Sequence, residues 1–327
     1  MFKKHLTIST CLLLLLFNSM AQESVKPLTS LRQPIAKQLN SLSKGPKLVV
    51  GIVIDQMRWD YLYRFNELYS SNGFNRLLRQ GFSCDNTLIP YMPTYTAPGH
   101  TCVYTGSVPA IHGIVGNNWY DKLTNRTIYC AEDLTVKTVG SESSAGKMSP
   151  RNMWTTSITD ELKLSNNFQS KVIGISLKDR GAIFPAGHSA NAAYWYDNGK
   201  WITSSYYMND LPNWVKQQNA KDLPSLYMSK DWNTLLPLAN YNLSTSDDQP
   251  YETAIKGEKT VTFPHMTSQM TTEKYESFKY TPYAASYTFD FAKSAIENEL
   301  EKIVGIGKAT SDLLLQEYKS VKKIKSI

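Results

Sequence analysis

The sequence predicts an α/β fold in which a largely parallel sheet is sandwiched by helices. Three observations carry that reading. Lys47–Asp55 (KLVVGIVID) and Lys171–Leu177 (KVIGISL) are continuous apolar runs of strand length, rich in Val and Ile, as strands buried on both faces of a parallel sheet require. Each run is closed by charge, Asp55 in the first case and Lys178-Asp179-Arg180 in the second. Apolar residues at helical spacing lie between and beyond them, including Met153–Leu164 and the long stretch from Thr281.

At the amino end, Lys3, Lys4 and His5 precede CLLLLLF, and Ser19-Met20-Ala21 places small residues at a cleavage position. Residues 1–21 therefore read as an export leader, with an apolar core too short to span a membrane. Residues 22–46 are polar, with Pro and Ser, and read as a lead-in arm. The expected location is the periplasm or the exterior, without a stable membrane anchor. Loss of Lys3 and Lys4 with the leader lowers the formal net charge from +7 to +5. The remaining cations are scattered, which excludes a nucleic-acid partner of the basic-stripe kind. The expected state is a monomer. Cys84, Cys102 and Cys130 remain, an odd count without metal-type spacing. They are either buried small hydrophobes or one bridge with a leftover thiol.

After Asp55, Trp59, Leu62, Phe65 and Leu68, then Phe74, Leu77 and Leu78, fall at helical spacing, and their aromatics are expected in the core. Gly81–Leu88 is expected to be a second strand. It leads into Tyr91–Asn118, the stretch around which the chain is organised. Here Thr96 stands just ahead of a helix expected from Pro98 to Tyr104. Its hydroxyl sits where backbone N–H groups and the helix dipole favour an anion. It is either a helix cap or a nucleophile facing a phosphate. Asp55, at a strand's carboxyl end where α/β sheets gather ligands, favours the second role. Asn117 is a turn former or an amide donor to a phosphoryl oxygen. Lys178 and Arg180 are surface ion-pair residues or a clamp on a dianion. His100 and His112 are assigned to the scaffold, as is His265, while His188 is a residue that could orient others near the pocket.

Asp55, the TYTAPGHT segment around Thr96, GSVPAIHGIVGN ending at Asn117, and Lys178-Asp179-Arg180 together resemble the alkaline phosphatase superfamily. The resemblance is to its PafA-type periplasmic phosphomonoesterase branch, related to nucleotide pyrophosphatases/phosphodiesterases, and runs from about Leu48 to about Leu315. It implies a core of residues 47–186 and 281–315, with an inserted cap over 187–280 built of small strands and turns. It further implies two zinc ions, with Asp55 and Thr96 among the ligands. Thr96 would attack phosphorus and become a phosphothreonine, while Asn117, Lys178 and Arg180 hold the equatorial oxygens. Small phosphate monoesters are the implied substrates, since diesterases of the superfamily make room for a second ester group where Lys178 and Arg180 stand. Sulfatases carry x-P-x-R after the nucleophile, whereas this chain has Gly99 and His100 after Pro98.

The resemblance also implies Asp and His ligands beyond Leu315, where the chain instead reads QEYKSVKKIKSI. The expectation is a product truncated by a frameshift, with a sheet incomplete at its carboxyl end and a divergent basic tail over 316–327. Two-metal phosphoryl transfer needs two cations about 3.5–4 Å apart, each with several protein ligands. The metal-binding half of that machinery has no matching positions, so zinc is expected to be incompletely bound. The competing readings are a diesterase or pyrophosphatase of the same superfamily, and an inactive protein that only binds phosphate or partners.

Overall fold

The computed structural model describes residues 46–300. The expected leader, nearly all of the arm, the strand from Ser311 and the basic tail lie outside the described residues. The chain divides into two compact units between Ile52 and Val53. Of the first unit, residues 46–52 are described; they form neither helix nor strand, and Val49, Val50 and Ile52 are exposed.

The α-helices of the second unit, among the described residues, are α1 (Tyr61–Arg64), α2 (Phe74–Gln80), α3 (Thr96–Thr105), α4 (Pro109–His112), α5 (Ile158–Ser165), α6 (Asp179–Ala186), α7 (Asn213–Ala220), α8 (Leu223–Tyr227), α9 (Lys274–Phe278) and α10 (Pro282–Ala295). The strands are β1 (Asn118–Asp121), β2 (Arg126–Tyr129), β3 (Thr138–Val139), β4 (Ile173–Ile175), β5 (Ala192–Asp197) and β6 (Lys200–Ser204). β1 and β2 form a separate hairpin, and the main sheet runs β3-β6-β5-β4.

Strands β5 and β6 are the inner pair of that sheet, and sequence alternation explains why. Ala192, Tyr194 and Tyr196 enter one core cluster, whereas Ala193 and Trp195 enter the other. On β6, Trp201 and Ile202 divide in the same way. A strand side-chain period of two thus supplies two apolar faces, each covered by helices. One face carries α7, α9 and α10, and there Trp201 stacks on Tyr287 and Phe291 with ring centroids 4.8 and 4.4 Å apart. α10 starts with Pro282 in its first turn and turns Ala284, Tyr287, Phe291 and Ala295 inward. The opposite face carries α3 and α6 through Ala97, Ala182, Ile183 and Phe184. The helix sandwich therefore stands as expected.

Four expectations are corrected. The sheet is mixed: β4 and β5 are parallel, while β5–β6 and β3–β6 are antiparallel. Asn198-Gly199, both at positive φ, close the β5–β6 hairpin in two residues, and so short a turn permits only an antiparallel return. Lys47–Asp55 and Gly81–Leu88 form no strand, and Val53, Ile54, Phe82 and Leu88 are exposed. A strand exists only with a ladder partner, and none of the described strands pairs with either run. The aromatics of α1 and α2 are not core: neither helix buries a residue, and Trp59 is 63% exposed. The aromatic stretch expected as small cap strands supplies β5 and β6 themselves, because Tyr and Trp fill a two-sided core as well as any aliphatic residue does.

β4 lies so close to α6 that Gly174 has no room for a side chain. A Cβ there would stand 2.2 Å from the Ala182 carbonyl oxygen and 2.9 Å from the Ala186 Cβ. Gly174→Ala is expected to cost about 1–3 kcal/mol through forced separation of strand and helix. Urea unfolding checks it, and an unchanged midpoint would refute the packing argument.

Candidate active site

Thr96 is the first residue of α3, preceded by Tyr95 in an extended conformation (φ −71°, ψ 165°). The helix thus starts two residues earlier than Pro98. Pro98 costs the helix nothing in its first turn, where its missing N–H has no intrahelical partner to lose. Thr96 does not cap the helix through its side chain. Its Oγ1 instead donates to Asp55 Oδ2 at 3.3 Å. Lys178 Nζ stands 3.3 Å from the same oxygen. One carboxylate oxygen thereby holds a hydroxyl from α3 and an ammonium from the loop behind β4, residues separated by up to 123 positions in the chain.

Asn117 joins through the backbone of α3. The Ala97 N–H donates to Asn117 Oδ1 at 2.9 Å, which satisfies an otherwise orphaned first-turn donor. That contact fixes the orientation of the amide and leaves its NH2 without a protein acceptor among the described residues. The donor role expected of Asn117 needs that orientation.

Lys178 precedes α6, whose first turn carries Asp179 and Arg180. The two cations do not share a partner. Arg180 Nη1 donates to the Tyr129 hydroxyl at 2.7 Å, and that hydroxyl donates to Asp179 Oδ1, which also accepts from the Arg180 backbone N–H. Arg180 Nε is buried and has no hydrogen-bond partner among the described residues. Burial holds the Asp179 carboxyl above the ordinary carboxylate range, against the hydrogen bond from Tyr129. Burial also raises the Tyr129 hydroxyl and pushes the Cys130 thiol up to about 12. The phenol therefore stays protonated and able to donate.

The histidines of this region are hydrogen-bonded to backbone or to neighbouring side chains. His100 Nδ1 donates to the Thr96 carbonyl at 2.9 Å. His112 Nδ1 accepts from the Ile114 N–H at 3.1 Å, so its Nε2 carries the proton and faces Cys102 Sγ at 3.2 Å. Burial lowers the His112 pKa and keeps the ring neutral. His188 places Nδ1 3.5 Å from Asp160 and Nε2 2.9 Å from the Met153 carbonyl, while His265 pairs with Glu258 at 2.7 Å. Cys84, Cys102 and Cys130 are free thiols.

Asp55 and Thr96, the two expected metal ligands, bring their oxygens within 3.3 Å of each other. Among the described residues no group of three or more His, Cys, Asp or Glu side chains could hold a metal ion. A catalytic zinc takes about three protein ligands, so the described residues do not complete a zinc site. The residue that sequence reasoning missed is Tyr129. Nothing in RTIY marks it; only the β1–β2 pairing brings it to Arg180.

The sequence profile described as type I phosphodiesterase / nucleotide pyrophosphatase matches residues 49–285. The chain is 56% identical over 256 residues to alkaline phosphatase PhoV of Synechococcus elongatus, covering 78% of this chain and 46% of that protein. It is 57% identical over 257 residues to a Myroides odoratus protein named calcium-transporting ATPase (78% and 47%), and 48% identical over 266 residues to alkaline phosphatase PafA of Elizabethkingia meningoseptica (80% and 48%). The chain spans about half the length of these curated relatives. The crystal structure of wild-type alkaline phosphatase PafA superposes with a TM-score of 0.76 at 42% identity, over 85% of this chain and 58% of that one. A PafA variant substituted at one threonine, one asparagine, one lysine and one arginine superposes at 0.77 with 40% identity, over 86% and 60%.

Proposed function

The chain belongs to the type I phosphodiesterase / nucleotide pyrophosphatase family, and on that premise we propose that it takes part in the hydrolysis of phosphate monoesters, with Thr96 as nucleophile. The observation that carries this reading is the convergence of Thr96 Oγ1 and Lys178 Nζ on Asp55 Oδ2, each at 3.3 Å. It is supported by the substituted PafA variant. The four residue types replaced there occur in the same order, and with the same separation within each pair, as Thr96 with Asn117 and Lys178 with Arg180.

Each residue has a task that its position allows. Asp55 orients the Thr96 hydroxyl, whose oxygen bonds to phosphorus as the ester P–O bond breaks and whose proton goes to the departing ester oxygen. Water then attacks the phosphothreonine, the bond from phosphorus to the Thr96 oxygen breaks, and Thr96 regains a proton as inorganic phosphate leaves. The Asn117 NH2, Lys178 and the Arg180 guanidinium grip the nonbridging oxygens and stabilise the charge they gain in the transition state. Zinc, implied by the family likeness, would supply Lewis acidity at the Asp55–Thr96 oxygens. Small phosphate esters are the proposed substrates, and export to the periplasm is proposed from the leader.

The family description favours a second reading, a phosphodiesterase. Lys178, on the same Asp55 oxygen as the nucleophile, and Arg180 two residues on weigh against it, because a diester has one negative charge and in the superfamily carries a second ester group where such cations stand. A third reading is a protein that binds phosphate without turnover. An aryl phosphate and the matching aryl diester, each assayed with added zinc, separate the three. Faster release from the monoester, with the preference narrowed by Lys178→Ala, is expected. Preference for the diester would overturn the monoester assignment, and phosphate binding without release would favour the third reading.

A further inference from the structure

We propose that Tyr129 is the positioning residue for Arg180, and that the β1–β2 hairpin sets both Arg180 and Asn117 from one end. The inference rests on the monoesterase reading and deepens it. Asn118 pairs with Tyr129 in the ladder, and the Cys130 N–H donates to the Asn117 carbonyl at 3.0 Å. Asn117 and Tyr129 therefore stand at the same end of the hairpin, tied by backbone hydrogen bonds. From there Asn117 reaches the first turn of α3 through Ala97, and Tyr129 reaches the first turn of α6 through Arg180 and Asp179.

Chemistry determines which way that second contact works. The Tyr129 oxygen has one proton, which goes to Asp179, so it can only accept from Arg180 Nη1. The guanidinium also lies over the phenol ring, with its central carbon 5.8 Å from the centroid. Ring and hydroxyl together fix one edge of the planar fork. The buried Nε has no acceptor among the described residues, and a buried donor without a partner is costly unless something else supplies one. A nonbridging phosphoryl oxygen has the charge and lone pairs to do so. Asp179, sealed between the Tyr129 hydroxyl and the Arg180 backbone, keeps the phenol from turning away.

The test is a double-mutant cycle read by calorimetric titration with inorganic phosphate. Wild type is expected to bind, and Arg180→Ala to bind about tenfold or more weakly, since a charge-assisted bond is lost. Tyr129→Phe, which removes one oxygen and keeps the ring, is expected to bind about three- to tenfold more weakly while still unfolding in one cooperative thermal transition, its midpoint lowered because Asp179 and Arg180 Nη1 each lose a partner. In the Arg180→Ala background, Tyr129→Phe is expected to cost nothing further, because its only route to phosphate has gone. An equal loss in both backgrounds, or none in wild type, would overturn the positioning role while leaving the monoesterase reading in place. Failure of wild type to bind phosphate, or equal binding by wild type and Arg180→Ala, would overturn both.

Discussion

Replacing Thr96 with alanine is expected to lower kcat for an aryl phosphate by about a thousandfold or more, the order seen when a nucleophile that acts as part of a unit is removed. The protein should remain folded. Thr96 caps nothing with its side chain, and its hydroxyl makes a single long bond to Asp55. Alanine is also the better helix former. Thr96→Ser keeps an oxygen in the same place and is expected to retain part of the activity. Intact-mass measurement after a rapid quench gives an independent check. A phosphoryl adduct should appear on wild type during turnover, map to Thr96, and be absent from Thr96→Ala. Turnover that survives in Thr96→Ala at the wild-type rate would remove the nucleophile assignment.

Asp160→Ala is expected to destabilise the fold by about 3–5 kcal/mol, the range for breaking a buried, hydrogen-bonded charge network. The Asp160 side chain is only 3% exposed. It closes a capping box with Ser157 at the start of α5, accepting from the Ser157 N–H at 2.9 Å. It also accepts from the His188 N–H at 3.1 Å and from Ser189 N–H and Oγ, both at 2.7 Å. Burial alone would raise this carboxyl, but hydrogen bonds from His188, Ser157 and Ser189 hold it far below the ordinary range. The His188 ring is raised by its hydrogen bond to Asp160. The signs follow from linkage. A depressed carboxyl contributes stability that is present above its unfolded pKa of about 3.9 and lost as pH falls toward the folded value. A raised imidazole contributes stability that is present below about 6.5 and lost as pH rises through its folded pKa. Urea unfolding should therefore show the widest gap between wild type and Asp160→Ala at about pH 5–6, narrowing in acid. A gap that does not depend on pH would show that packing, not charge, holds this corner.

What could be read from the sequence was chemistry tied to short motifs. Thr96, Asn117, Lys178 and Arg180 each sit at or within a few residues of a helix or strand terminus, where composition and spacing point to an exposed polar end. The βα passage from β4 to α6 was likewise visible in KVIGISL followed by charge. The failures share a physical origin. An apolar run declares only that it wants cover, and Lys47–Asp55 shows the same composition whether or not a neighbouring strand is there to pair with it. The Asn198-Gly199 turn was present in the sequence, but reading the flanking Tyr and Trp as pocket mouth hid the central hairpin that they build. Tyr129 was out of reach altogether, since its role depends on a contact 51 residues along the chain.

The shared oxygen of Asp55 has an electrical consequence. Asp55 offsets Lys178, and Asp179 offsets Arg180, so the formal charges of the constellation cancel. A dianionic ester approaching it meets donors in plenty but no surplus of positive field. For such a guest to be held tightly, either the ammonium must leave its carboxylate or additional positive charge must arrive beside Asp55. On the proposed reading, geometry would recognise the shape of a phosphoryl group, and the strength of the grip would be set by whatever neutralises one aspartate.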